Sequence, residues 1–151
     1  MNPRGSIVNM IFRALLFVAV SIAMLAQTGS VAYSKEGIMI LPKDYREWTF
    51  LSAGLNMVYG ENGGSAANPR FENVFVNPAA YRQFVKSGKW PDKTTLILEI
   101  RASDSRVSIN KDGRVQTNVV AIEAHVKDAA KGGWAFYGFD ASGQNGKSFP
   151  K

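Results

Sequence analysis

The segment from Arg114 to Asp128, RVQTNVVAIEAHVKD, is the strongest constraint on the fold because its second half alternates apolar and polar side chains. Successive side chains of a strand point to opposite faces of the sheet. One face therefore carries Val120, Ile122, Ala124 and Val126. The other face carries Ala121, Glu123, His125 and Lys127. A strand with this pattern must bury its apolar face, so the chain is predicted to build a sheet with a core on that side.

Most of the remaining chain also has the composition of strands. The predicted strands are WTFLSAGLNMVYG (48–60), RFENVFV (70–76), TTLILEIRAS (94–103), RVSI (106–109) and GWAFYGFDA (133–141). TTLILEIRAS is almost continuously apolar and rich in β-formers, which indicates a central strand. The loop GENGGSAANP (60–69) separates two strands, and the turn NKDGR (110–114) closes a hairpin through Asp-Gly.

One segment, NPAAYRQFVKSGKWP (77–91), has the pattern of a helix. Asn77 can cap its start, Pro78 suits the first turn, and Gly88 suits a left-handed C-terminal position. We therefore predict an α+β fold, a mostly antiparallel β-sheet with one main helix at about 77–87. Pro42 is also predicted to start a short helical turn that runs to Trp48.

The N-terminus has the features of a secretory signal. Arg4 and Arg13 precede the apolar stretch ALLFVAVSIAMLA (14–26), and GSVA offers small residues for cleavage before Tyr33. The stretch is shorter than the roughly 20 residues that span a bilayer, which favours cleavage over a retained membrane anchor. We expect a signal peptide at 1–32, a domain at 33–151, and a periplasmic or secreted protein. The 151 residues contain no cysteine, so no disulfide can support the core.

Composition limits the classes of function. The chain is 46% hydrophobic and 20% charged, as expected of one globular domain. Removal of the leader leaves 16 Lys and Arg against 12 Asp and Glu, scattered without the basic stripe that nucleic-acid binding requires. One histidine and no cysteine argue against a structural metal site.

Glu123 and His125 are candidate chemical groups on the polar face of the alternating strand. Two interpretations of this face stay open from the pattern alone. It is either a solvated surface or the wall of a polar pocket in which Glu123 transfers a proton and His125 assists.

Five segments of the chain resemble the cytochrome P-460 family, which includes the cytochromes c-prime-beta. They are LPKDYREW (41–48), RFENVFVNPAAYRQF (70–84), GKWPDKTTLILEIR (88–101), AIEAHVKD (121–128) and GWAFYGF (133–139). The resemblance implies a largely antiparallel homodimer that holds a c-type haem. It also implies action on small nitrogen compounds, by hydroxylamine oxidation or nitric oxide binding.

Two departures from the family pattern affect this expectation. The family attaches its haem through a C-terminal Cys-x-x-Cys-His motif, and these 151 residues hold no cysteine for that attachment. We therefore expect the domain to be truncated at its C-terminus. Leu98 stands where hydroxylamine-oxidising members carry a lysine cross-linked to the porphyrin, which favours the gas-binding branch.

The resemblance also assigns roles to particular residues. Glu123 matches the family's distal proton-transfer carboxylate. Candidate pocket-lining residues are Leu98, Phe71, Phe75 and His125, with Trp134, Phe136 and Tyr137 as further aromatics, although packing in the core is the other explanation for these rings. His125 is also a candidate substitute iron ligand. The alternative function is a haem-free periplasmic binding or dimerisation domain that keeps the fold without redox activity.

Overall fold

The chain forms one continuous antiparallel sheet in a computed structural model that describes residues 31–57, 67–106, 109 and 112–149. Strands β3 to β8 lie side by side in chain order. They are β3 Thr49–Leu55, β4 Phe71–Val76, β5 Thr95–Asp104, β6 Val115–Asp128, β7 Gly133–Phe139 and β8 Lys147–Ser148. A small separate pair consists of β1 Ala32–Tyr33 and β2 Met39–Ile40. One α-helix, α1 Pro78–Ser87, and two 3-10 turns, Tyr45–Glu47 and Ala129–Lys131, complete the described part. The predicted α+β class is confirmed.

One face of the sheet carries the hydrophobic core. The N-terminal segment packs against it through Met39, Tyr45 and Trp48, all buried. The sheet contributes Ile97, Ile122, Ala124, Val126, Tyr137 and Phe139. The alternation in β6 places Ile122, Ala124 and Val126 toward the core, as the sequence predicted. Val119 packs against this core in place of the predicted Val120, because the register against β5 shifts between Ile100 and Arg101.

Helix α1 begins and ends where the sequence indicated, but Asn77 acts differently from the predicted cap. The Asn77 side-chain oxygen makes no capping bond and accepts the backbone N–H of Thr95 at 2.9 Å, and its own backbone N–H donates to the Thr95 carbonyl at 3.2 Å. Asn77 thereby fixes the start of α1 to the start of β5. Gly88 ends the helix in the left-handed region, with φ 70°, as predicted.

Two of the predicted strands differ from the structure. β3 ends at Leu55, and Asn56 follows with φ 57°, a left-handed conformation that leaves the strand. β5 ends at Asp104, whose side chain accepts the Arg106 backbone N–H at 2.7 Å, so the predicted strand over 106–109 is absent at Arg106 and at Ile109, and residues 107 and 108 lie outside the described residues. Most of the predicted loop at 60–69 and part of the turn at 110–114 lie outside the described residues. The hairpin differs from the predicted one, because the partner of β6 is β5 and not the segment 106–109, with Asp104 paired to Val115.

Candidate functional site

The sheet face opposite the core carries the candidate site, and we call it the open face. Leu98 pairs directly with Val74 on β4 and with Glu123 on β6, and Leu96 pairs with His125. Paired residues of an antiparallel sheet project from the same face. Since the intervening residues Ile97 and Ala124 belong to the core, these side chains share the other side of the sheet.

A pocket with a volume of about 300 Å³ opens on this face. Its wall is mainly apolar and comes from four neighbouring strands, β3 to β6. It is lined by Ser52, Ala53, Gly54, Met57, Glu72, Val74, Leu96, Leu98 and His125. A concave apolar wall with a few polar groups is the usual form of a small-molecule or cofactor site.

His125 lines the β6 side of this pocket, and Glu123 lies beside His125 without lining the pocket itself. The Nε2 atom of His125 is 3.8 Å from Oε2 of Glu123, and both side chains are partly exposed. The edge of the Phe136 ring packs against the imidazole, with centroids 4.7 Å apart. A carboxylate beside an imidazole can pass a proton between a bound ligand and solvent. The structure therefore brings together two of the predicted residues.

The other predicted lining residues divide between the two faces. Leu98 and His125 line the open-face pocket. Phe75 lies on the core side, where its ring contacts Tyr45 and Phe50, and the strand alternation puts Phe71 on that side too. Trp134 and Phe136 share the open face with Glu123 and His125. Tyr137 is buried in the core.

Glu72 is a pocket residue that the sequence analysis did not identify. It lies on β4 beside Val74 and is only 9% exposed. Its burial raises the pKa of the carboxyl, against the opposing effects of the Met57 backbone N–H and the positive charge of Arg70. The available signal was its place in RFENVFV, where strand alternation puts Glu72 on the same face as the apolar residues Val74 and Val76.

A second buried carboxylate, Glu99, lies on the core face and stabilises the fold. It accepts hydrogen bonds from the Tyr45 hydroxyl, from Nε of Arg46 at 2.7 Å and from Arg101 at 2.5 Å. Burial opposes ionisation of Glu99, but these three donors outweigh it and hold its pKa below the ordinary value. Burial and the bond to Glu99 raise the pKa of Tyr45. Arg46 also lines a second pocket, of about 510 Å³, yet its guanidinium is already paired with Glu99.

No cluster of three or more His, Cys, Asp or Glu side chains with metal-binding geometry occurs among residues 31–57, 67–106, 109 and 112–149. The same part of the chain holds no helix long and apolar enough to cross a bilayer.

The fold and pocket define a class, a single-sheet α+β domain with one packed face and one open apolar face that carries acid–base groups. The sequence profile of one family, described as cytochrome P460, matches residues 42–151. The chain belongs to the cytochrome P460 family, a family of haem proteins. No protein with a curated description matches the chain.

Family membership implies a haem, and the residues of the open face suit its non-covalent contacts. Val74, Leu96 and Leu98 offer an apolar surface to a macrocycle, and His125 and Met57 supply an imidazole and a thioether, both of which are haem-iron ligand types. Thioether attachment does not fit these 151 residues, which contain no cysteine.

Proposed function

We propose that this chain is the sheet domain of a haem protein, that haem contacts the open face, and that Glu123 and His125 manage protons for a small ligand there. The observation that carries the proposal is the placement of Glu123 directly opposite Leu98, beside His125 and the apolar pocket. These groups come from β5 and β6, the longest strands of the sheet, which give the site a rigid base.

The apolar residues of the pocket have the role of holding the cofactor. Val74, Leu96 and Leu98 would exclude water from one side of the macrocycle, which strengthens electrostatic interactions near it. When bound, haem supplies an iron that can bind small ligands and exchange electrons.

Glu123 and His125 have the role of moving protons. The Oε2 atom of Glu123 can accept a proton from an N–H or O–H group of a ligand on the open face. His125 Nε2, 3.8 Å from that oxygen, can then take the proton after a small side-chain movement. Both side chains are partly exposed, so the proton has a route to solvent.

The ligand class we propose is a small nitrogen compound, nitric oxide or hydroxylamine. Family resemblance supports this class, and the apolar side chain at Leu98 supports nitric oxide binding rather than hydroxylamine oxidation. We also propose that the protein is exported to the periplasm or the exterior after removal of residues 1–32, and that it forms a homodimer. The haem-free binding or dimerisation domain is the competing account.

A spectroscopic experiment with a matched pair of variants tests this function. Haemin is added to the purified chain, and the Soret band is followed before and after addition of nitric oxide. We expect a new Soret band that shifts with nitric oxide. With hydroxylamine as the alternative ligand, Glu123→Gln should slow any proton-coupled reaction by about 100-fold.

The control is Glu47→Gln, which changes an exposed carboxylate on a 3-10 turn. This variant should behave like the wild-type chain. A chain that gives no Soret band with haemin would refute the haem account and support the haem-free domain. A Soret band with identical behaviour of Glu123→Gln and wild type would remove Glu123 from the proposal.

A further inference from the structure

Glu72 is a buried carboxylate at the wall of the open-face pocket. It lies on β4, next to Val74 and across from Gly54 on β3. Gly54 has no side chain, and a Cβ atom added there would lie 3.3 Å from Oε2 of Glu72. The same Cβ would overlap Sδ of Met57, so the Met57 side chain occupies the space over the glycine and packs beside the carboxyl.

The hydrogen bonding of Glu72 is weak for a buried carboxylate. Oε2 accepts the backbone N–H of Met57 at 3.4 Å, a long distance for such a bond. The ion pairs found within the described residues do not include Glu72. Glu99, which is also buried but on the other face, has three strong donors, so the two carboxylates differ in how well their charged forms are stabilised.

Few charged groups surround Glu72 within the part of the chain that the structure describes. Arg70 precedes it on the same segment, and its charge acts at a distance on the carboxyl. The pocket wall adds His125 from β6, with Glu123 beside it. The facing positions on β3 and β5, Gly54 and Ile100, carry no charge. Burial raises the pKa of Glu72, so it holds a proton at a pH where exposed glutamates have lost theirs.

We propose that Glu72 is a second acid–base group of the open-face pocket, which donates its proton to a small weakly basic ligand lying against Val74 and Leu98. In this step the O–H bond of the Glu72 carboxyl breaks, and the proton forms a bond to a lone pair on a nitrogen or oxygen atom of the ligand. The resulting carboxylate is stabilised by the Met57 N–H and by Arg70. It also forms an ion pair with the protonated ligand.

This inference rests on the proposed function for the identity of the natural ligand, which it refines to a proton-accepting one. The step itself needs only the chain. The two acid–base groups then act at different sides of the pocket. Glu123 with His125 faces solvent at one side of the pocket, and Glu72 serves its buried side.

The test uses imidazole, a small weak base, and the haem-free chain. Infrared difference spectra of wild type minus Glu72→Gln isolate the Glu72 carboxyl. We expect a band of protonated carboxylic acid at a pH above the ordinary glutamate range, and its replacement by a carboxylate band when imidazole is added. A matched variant, Ser52→Phe, fills the exposed edge of the pocket, and it should keep the protonated band in the presence of imidazole.

Two results would overturn the inference. One is a Glu72 carboxyl that titrates in the ordinary range of glutamate side chains, and the other is a protonated band that imidazole leaves unchanged in the wild type. Carbon-13 NMR of labelled glutamate side chains in the wild-type chain gives the same titration if Glu72→Gln does not fold. Because no haem is present, this result is independent of the haemin experiment, so the two proposals can fail separately.

Discussion

Leu98 on β5 and Glu123 on β6 are paired directly, and both side chains project from the face of the sheet opposite the core. This pairing puts a carboxylate at the edge of an apolar surface. The adjoining residues on the same strands, Ile97 and Ala124, are fully buried on the other face, so the two faces of the sheet have different roles. The core face stabilises the domain, and the open face is the one we assign to cofactor and ligand.

Replacement of Glu99 tests the structural role of the core-face charge cluster. Glu99→Gln removes the charge that binds Arg46, Arg101 and the Tyr45 hydroxyl. Hydrogen bonds to charged groups contribute about 1.5–3 kcal/mol each at the high end, so we expect the free energy of unfolding to fall by about 2–3 kcal/mol. Urea denaturation measures it. Glu47→Gln, the exposed control, should change stability by less than about 0.5 kcal/mol. Equal stability of the two variants would contradict the assigned role.

The pH dependence of stability should have opposite signs for the two buried carboxylates. Folding lowers the pKa of Glu99 below its ordinary value of 4.5, so its contribution is present above pH 4.5 and is lost as the pH falls through its folded pKa. Folding raises the pKa of Glu72, so its contribution is present below pH 4.5 and is lost as the pH rises through its folded pKa.

Urea denaturation across this pH range separates the two effects. Relative to wild type, Glu72→Gln should gain stability as the pH rises above 4.5, whereas Glu99→Gln should lose stability as the pH rises toward 4.5 from below. Parallel curves for the two variants would mean that their environments do not differ as described.

The Asn77 side chain should stabilise the fold through its hydrogen bond to Thr95 at the start of β5, and not by capping the helix. Asn77→Ala leaves the buried N–H of Thr95 without its side-chain acceptor, and we expect a loss of about 1–3 kcal/mol. Asn118→Ala, on the exposed part of β6, is the matched control. Hydrogen exchange should show faster exchange of the Thr95 amide in Asn77→Ala. An unchanged Thr95 amide would contradict this contact.

The mature N-terminus is a separate prediction. Signal-peptidase cleavage before Tyr33 would remove Ala32, which pairs with Ile40 in β1 and β2, and would leave Tyr33 paired with Met39. Mass spectrometry of the exported protein should therefore give a chain that begins at Tyr33. A mass that includes residues 1–32 in the exported material would refute the predicted cleavage.

The sequence predicted those parts of the fold that depend on local pattern. The limits of α1 follow from Pro78 and Gly88, whose backbone preferences act within one turn. The core side of β6 follows from strict alternation, since only one of its faces is apolar. β4 lacks this information, because Phe71 and Phe75 on one face are as apolar as Val74 and Val76 on the other. Tertiary packing therefore determines which face of β4 lies against the core.

The candidate site was predictable only in part, for the same physical reason. Glu123 and His125 lie two residues apart on one strand, so strand geometry alone brings them together. Glu72 reaches their pocket through the register of β4 against β5, which sequence patterns do not determine. Glu99 was identifiable as a charge within an apolar strand, but its partners Tyr45 and Arg46 come from a segment about 50 residues away.

The most direct test of the central claim is a haemin titration of Leu98→Asp beside Val85→Asp. Leu98→Asp puts a charge on the apolar wall of the pocket, whereas Val85 is 65% exposed on α1 and does not line the pocket. We predict that the wild type and Val85→Asp bind haemin alike, with a Soret band of equal amplitude. Leu98→Asp should bind at least about tenfold more weakly, since an unpaired charge in an apolar site costs more than about 1.4 kcal/mol. Equal haemin affinity of Leu98→Asp and wild type, or no binding by any of the three chains, would contradict the assignment of the open face as the haem site.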